Sequence, residues 1–198
     1  METELEAKFT DIDPKALRKK LAAVGATLVH PERFMRRKNF DFPDRRLEKE
    51  AAWIRVRDEG DKITVSYKKL VERSLHGMKE ISFTVSDFEA ACNLFIAIGL
   101  MPKAYQETKR ERWQHKGVEI TIDTWPWIPT FVELEAEAEA ELREAAELLE
   151  LNLNKASHGS VEAVYEDVYD VTDEDVFNWQ EIRFGPVPDW LEVKRKKR

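Results

Sequence analysis

Glu4, Glu6 and Lys8 stand two residues apart in the stretch TELEAKF, with Leu5, Ala7 and Phe9 between them. Residues two apart in a strand share a face, so this spacing puts two carboxylates and an ammonium on one side and three apolar groups on the other. Such alternation is ordinarily the wet side of a half-buried strand. Here it recurs. Arg55 and Arg57 share a face in WIRVRDE, Arg110 and Arg112 in TKRERWQH, Glu119, Thr121 and Asp123 in VEITIDTW, and Glu133 and Glu135 in TFVELEAE. Lys68 and Glu80 add one member each from KITVSYKKL and KEISFTV. Carboxylates at this spacing make an oxygen-rich site for a hard divalent cation, Mg2+ or Mn2+. Arginines and lysines from several strands make a cage for a multiply charged anion, the guanidinium fork matching phosphate oxygens. Together the two signs describe a site for a metal ion and a polyphosphate.

Strands and helices must position these groups. After the first strand, DPKALRKKLAAVGAT predicts a helix capped by Asp13, with Pro14 in its first turn, Leu17, Leu21 and Val24 on one face, and Gly25 ending it. FMRRKNFDF, WIRVRDE, KITVSYKKL and KEISFTV read as strands. Ser86 followed by Glu89 reads as a capping box opening a second helix. TKRERWQH, VEITIDTW and TFVELEAE complete a set of eight strands. A third helix lies in AEAELREAAELLELN, with Leu142, Ala145, Leu148 and Leu149 as its apolar stripe, and a shorter fourth starts near Ser160. The rest, from residue 171, mixes aromatics with prolines and ends in KRKKR, which predicts a partly ordered, solvated tail. His115 and His158 flank glycine turns and are expected to be exposed loop residues. Eight mostly antiparallel strands can close into a barrel whose interior admits side chains or one small ligand. Apolar faces packed outward under helices would turn the charged faces inward, a costly arrangement unless ligand, metal and water satisfy them. The fold class expected is therefore α+β, an eight-stranded antiparallel closed β-barrel with helices packed outside.

Composition narrows the function further. A chain of 198 residues suits one domain with an appendage, a core over about 2–170 and a tail over 171–198. Charged residues reach 36% while hydrophobic ones still make 42%, so the charge belongs to a folded chain. A net charge of -7 gives no general footprint for nucleic acid. Cys92 is the single cysteine, which excludes an internal disulfide, suits a core position and favours the cytoplasm. No apolar run approaches the ~18 residues of a membrane span.

ELEAK resembles the ExExK signature of the CYTH superfamily, the triphosphate tunnel metalloenzymes, which includes class IV adenylate cyclases, thiamine triphosphatases and inorganic triphosphatases. NFDFPDRRL, WIRVR, TVSYKK, KRERW, VEITID and FVELEAE resemble further family segments in the family's order, from about residue 2 to 137. The resemblance implies a tunnel that holds a triphosphate and one or two divalent metals. It implies Glu4, Glu6, Asp123, Glu133 and Glu135 as metal ligands, and Lys8, Arg55, Arg57, Lys68 and Arg110, with Arg112 and Glu80, around the substrate. Glu4, Glu6 and Lys8 would carry the catalysis. The activity implied is metal-dependent hydrolysis of inorganic triphosphate, a nucleoside triphosphate or thiamine triphosphate. The alternatives are a class IV cyclase making cyclic AMP and pyrophosphate, and a module that binds a triphosphate without turnover. The expected partner is the small triphosphate alone, with the protein a monomer or homodimer. The chain departs from the family pattern at Thr108, where a lysine is usual, at Ser82, where a second acid is common, and at TWPWIP, where small residues are usual. Trp125 and Trp127 in that loop suit either a stacking platform or packing on their own hairpin.

Overall fold

The computed structural model describes residues 1–197, without the side chains of Glu2 and Glu4. In chain order its elements are β1 (Glu2–Phe9), α1 (Pro14–Ala23), β2 (Thr27–Asp41), α2 (Arg46–Lys49), β3 (Ala52–Asp58), β4 (Ile63–Leu70), β5 (Met78–Val85), α3 (Phe88–Ala97), β6 (Met101–His115), β7 (Val118–Thr124) and β8 (Phe131–Ala136). Then follow α4 (Glu139–Leu148), a 3-10 turn (Leu153–Lys155), α5 (Glu162–Val168), α6 (Asp173–Phe177), β9 (Glu181–Ile182) and α7 (Asp189–Glu192).

The fold is α+β. Eight antiparallel strands form one curled sheet in the order β2-β3-β4-β5-β1-β8-β7-β6, β2 also pairs with β6, and β9 joins β6 in parallel. In place of the expected closed barrel, the structure has a curled sheet with unequal seams. Pairing between β2 and β6 runs from Thr27 and Gln114 to Asp41 and Met101, whereas β5 meets β1 only from Glu2 and Glu80 to Glu4 and Met78.

Helices cover the convex side. Leu5, Ala7 and Phe9 of β1 pack with Ile120, Val132 and Leu134 beneath Leu17 and Leu21 of α1 and Leu142 and Ala145 of α4. Each leucine buried there contributes about 1.5–3 kcal/mol. A second cluster joins Phe40, Val56 and Val65 of β2, β3 and β4 to Phe88 and Cys92 of α3, where burial pushes the Cys92 thiol up to about 11. The apolar members of β1, β3, β7 and β8 thus face helices while their charged members face the concavity; on β5, Ile81 and Phe83 stay exposed.

Several local expectations are corrected. β2 starts at Thr27, not near Phe34, because Pro31 and two register shifts hide a segment that nonetheless pairs with β6. β6 likewise starts at Met101, upstream of Thr108. The cap of α3 is Asp87, which accepts the Ala90 N–H at 2.6 Å, while Glu89 reaches across to Lys38 instead of closing a box with Ser86. The stripe of α4 uses buried Ala146, leaving Leu148 exposed. The segment after residue 171 is structured: α6, β9 and α7 bring Val176, Ile182 and Leu191 into one cluster with Trp125, Tyr165 and Tyr169. Residues 194–196 are tied back too, the Lys196 N–H donating to the Val168 carbonyl at 3.0 Å. None of the described helices is long and apolar enough to cross a membrane.

Candidate functional site

Register sets the site. In β1 and β8, Glu6 lies opposite Glu135 and Lys8 opposite Glu133; in β7 and β8, Glu119 lies opposite Glu135 and Thr121 opposite Glu133. One row across three strands is thus carboxylate throughout, and the next mixes an ammonium, a carboxylate and a hydroxyl. Glu6, Lys8, Glu119, Glu133 and Glu135 of these rows face a hollow of about 520 Å3.

Lys8 is its anchor. Its ammonium donates to Glu6 Oε1 at 2.9 Å and to the Gly159 carbonyl at 2.6 Å, and it meets Glu133 Oε1 at 2.8 Å. Burial alone would lower the Lys8 pKa, but the Glu133 and Glu6 carboxylates outweigh it and hold it above the ordinary lysine value. Arg110 donates from Nε and Nη2 to the two Asp123 oxygens at 2.7 and 2.8 Å, and from Nη2 to Glu133 Oε2 at 3.0 Å. The Thr121 hydroxyl donates to Asp123 at 2.8 Å. Burial would raise Glu133; Lys8 and Arg110 instead keep it below the usual carboxylate range. For Glu135 nothing comparable compensates, and burial followed by the Glu133 charge pushes its pKa up.

The opposite wall comes from β3, β4 and β5. Lys68 meets Glu80 Oε2 at 2.7 Å and Arg55 meets Glu80 Oε1 at 3.8 Å. Arg57 donates from Nε and Nη2 to Glu59 Oε1 at 2.9 and 2.6 Å. Burial would raise Glu59, but Arg57 and then Lys62 bring it down to about 2. Arg112 pairs with Glu119 at 2.5 Å. Glu6, Lys8, Arg55, Arg57, Lys68, Glu80, Arg110, Arg112, Glu133 and Glu135 therefore line one hollow, with Asp123 buried behind Arg110. The side chain of Glu4 lies outside the described residues.

The structure adds groups that the sequence reading did not single out. Arg37 and Asn39 of β2 line the hollow, as does Glu162 of α5, whose carboxyl is pushed up by burial and leaves Oε2 without a partner. Arg37 and Asn39 stand two apart in MRRKNF, so the alternation that found the other charges would have found them. Gly159 and Glu162 come from a segment with no strand pattern, and only tertiary packing brings them in. His158, expected in an exposed loop, is half-buried with Nδ1 at 3.2 Å from the Glu6 carbonyl oxygen. Trp125 is buried edge-on to Tyr165, and Trp127 packs edge-on to Trp179. Tyr165 and Tyr169 donate hydroxyl bonds to the Pro126 and Trp127 carbonyls at 2.8 and 2.5 Å. The aromatic loop is thereby fastened to the C-terminal segment. A second hollow of about 470 Å3 adjoins the first and shares Trp53, Ser160, Glu162 and Phe177 with it.

A family model of the CYTH domain matches residues 2–164. The chain belongs to the CYTH family. Solved structures agree at the level of the fold. A proposed adenylate cyclase from Vibrio parahaemolyticus superposes with a TM-score of 0.72 at 13% identity, covering 83% of this chain and 98% of that one. A conserved hypothetical protein from Pyrococcus furiosus gives 0.64 at 22% identity over 77% and 94%. A proposed adenylyl cyclase from Hippeastrum, described as having a dominant triphosphatase activity, gives 0.55 at 14% over 84% and 96%. No curated protein matches the sequence.

CYTH triphosphate tunnel enzymes are generally dependent on a divalent metal. Among the described residues, no three carboxylate, imidazole or thiol groups are gathered tightly enough to hold one. The chemistry of the donors nevertheless fits a hard cation. Glu6, Glu135 and Glu119 form a row of facing carboxylates, and like charges directly opposite one another repel unless a cation is shared between them.

Proposed function

We propose that this protein is a metal-dependent triphosphatase, hydrolysing the terminal phosphoanhydride of a triphosphate held in the charged hollow, with the curled sheet acting as a tunnel and residues 1–198 acting as one domain. The observation that carries this reading is the assembly of lysines and arginines from β1, β3, β4 and β6 on one face, interleaved with carboxylates from β1, β7 and β8. Arg55, Arg57, Lys68, Arg110 and Arg112 would grip phosphate oxygens, each now held in direction by a carboxylate. Lys8 would bind phosphate while keeping Glu6 and Glu133 aligned. Glu4, Glu6 and Glu135 would hold Mg2+ or Mn2+, with Asp123 and Glu133 beside them restrained by Arg110 and Lys8. When bound, such a cation neutralises phosphate charge and positions a water molecule. Glu135, whose pKa burial and the Glu133 charge push up, is, of these carboxyls, the one that holds a proton most readily. The adjoining hollow leaves room for an organic group, so esters of triphosphate belong in the test alongside tripolyphosphate.

The experiment is incubation with Mg2+ or Mn2+ and tripolyphosphate, ATP, GTP or thiamine triphosphate, followed by product analysis. Inorganic phosphate is expected. Pyrophosphate with a cyclic nucleotide would instead identify a cyclase, metal-dependent binding without product a binding module, and neither turnover nor binding would overturn the assignment. Glu4→Gln and Glu6→Gln should each lower turnover by about 100-fold or more, the scale of losing one charge-stabilising group, while the fold persists.

A further inference from the structure

Every lysine and arginine that lines the hollow, save one, has a carboxylate oxygen within 3.8 Å among the described residues. The exception is Arg37. It is 6% exposed, and its Nη2 donates to the Thr108 hydroxyl at 3.0 Å. Its guanidinium carbon stands 4.6 Å from the centre of the Trp125 ring, and its Nε is buried without any partner. The carboxylate that acts on it, Asp123, is already taken by both forks of Arg110 and by Thr121.

A guanidinium so placed is expensive. Burial, followed by the charges of Arg55, Arg57 and Arg110, works against its cationic form. Arginine does not give up its proton in proteins. The charge therefore persists, and the empty protein bears the cost of desolvating it without a counter-ion. A hydroxyl and an aromatic face fix its direction and supply no negative charge. We propose that Arg37 is a preformed anion receptor, a binding residue whose charge is balanced only when a phosphoryl group occupies the hollow. This rests on the triphosphatase reading and adds to it a phosphate contact from β2, a strand that otherwise supplies the hollow with no cation. It also fixes the class of ligand that satisfies the site: an anion with enough charge for Arg37 in addition to the paired arginines, which favours tripolyphosphate and its esters over monophosphates.

The test compares wild type with Arg37→Met and Arg37→Lys, measuring tripolyphosphate affinity by titration calorimetry in Mg2+ and the ligand-free melting temperature. For Arg37→Met, affinity should fall ~10- to 100-fold, as for loss of hydrogen bonds to a charged group, while the ligand-free melting temperature holds or rises. Arg37→Lys, which keeps the charge and loses the fork, should fall between. KM should rise more than kcat falls. Affinity within twofold of wild type for Arg37→Met overturns the proposal. So does a ligand-free protein that melts markedly lower or fails to fold, since the guanidinium would then be holding the structure together. Wild type that binds no tripolyphosphate removes the triphosphatase reading as well, whereas equal binding by wild type and variant removes only the role of Arg37.

Discussion

Lys8 and Glu135 illustrate how differently two neighbouring charges can stand in one site. Lys8 is enclosed by Glu6, Glu133 and the Gly159 carbonyl, so Lys8→Met takes from buried Glu6 the ammonium it accepts from and leaves Glu133 with Arg110 alone. Removing one partner of a buried pair costs about 3–5 kcal/mol; a comparable fall in unfolding free energy, measured in urea, is expected together with loss of turnover. Glu135 predicts the reverse. Its pKa is raised in the folded state, so its ionisation opposes folding at neutral pH, and that penalty disappears as the pH falls through the raised pKa. Glu135→Gln should therefore stabilise the ligand-free protein at pH 7 by about 0.2–1 kcal/mol, the scale of a facing like-charge pair. The gain should vanish in acid, as parallel melts at pH 7 and pH 4 would register, and turnover should be lost. These residues were legible in the sequence because strand alternation has a period of two. Their partners were not, because which carboxylate meets which cation depends on register between strands distant in the chain. Thr108 and Trp125, two positions that depart from the family pattern, prove to be the residues that hold Arg37. What looked in the sequence like separate losses forms one contact group.

Among the elements, the strands and α1 and α4 were readable from periodicity and capping, and the C-terminal segment was not. α6, β9 and α7 span two to five residues each, too short for a helical or strand period to emerge. Their place is fixed by tertiary contacts: Ile182 and Leu191 are fully buried, and Trp179 stands edge-on to Trp127, Tyr165 and Trp190. Leu191→Ala should cost about 2–5 kcal/mol, as for a buried leucine elsewhere. Hydrogen exchange should then quicken first across residues 125–131, whose loop α5 and its neighbours fasten, while β1 and β8 stay protected. Uniform quickening across the sheet would show that the segment does not act on that loop in particular. α2 escaped notice for a related reason. It is a single turn, organised by the buried Asp41 carboxylate, which accepts the Leu47 and Glu48 N–H groups at 3.1 and 3.0 Å.

For the molecule as a whole, most interior charges among the described residues are paired within the chain, so the fold is expected to persist without a metal. Chelation should abolish turnover and leave the far-UV circular dichroism unchanged. Acid has a different effect. Glu59, at about 2 in the folded protein against an ordinary 4.5, contributes stability that is complete above pH 4.5 and is lost as the pH falls through 2; Glu133 acts in the same direction and Glu135 against it. Unfolding followed by tryptophan fluorescence should accordingly develop between about pH 4.5 and 2.

The pairing of β1 with β8 also has a consequence in time. Residues 5–9 are synthesised well before their strand partner, residues 132–136, and before Gly159, which completes the Lys8 ammonium. The earliest-made part of the site is thus the last to be enclosed, in keeping with folding dominated by contacts distant in sequence. Until then Glu6 and Lys8 remain in water, where their charges are cheap to hold, and dehydration is postponed until Glu133 and the Gly159 carbonyl exist to receive them.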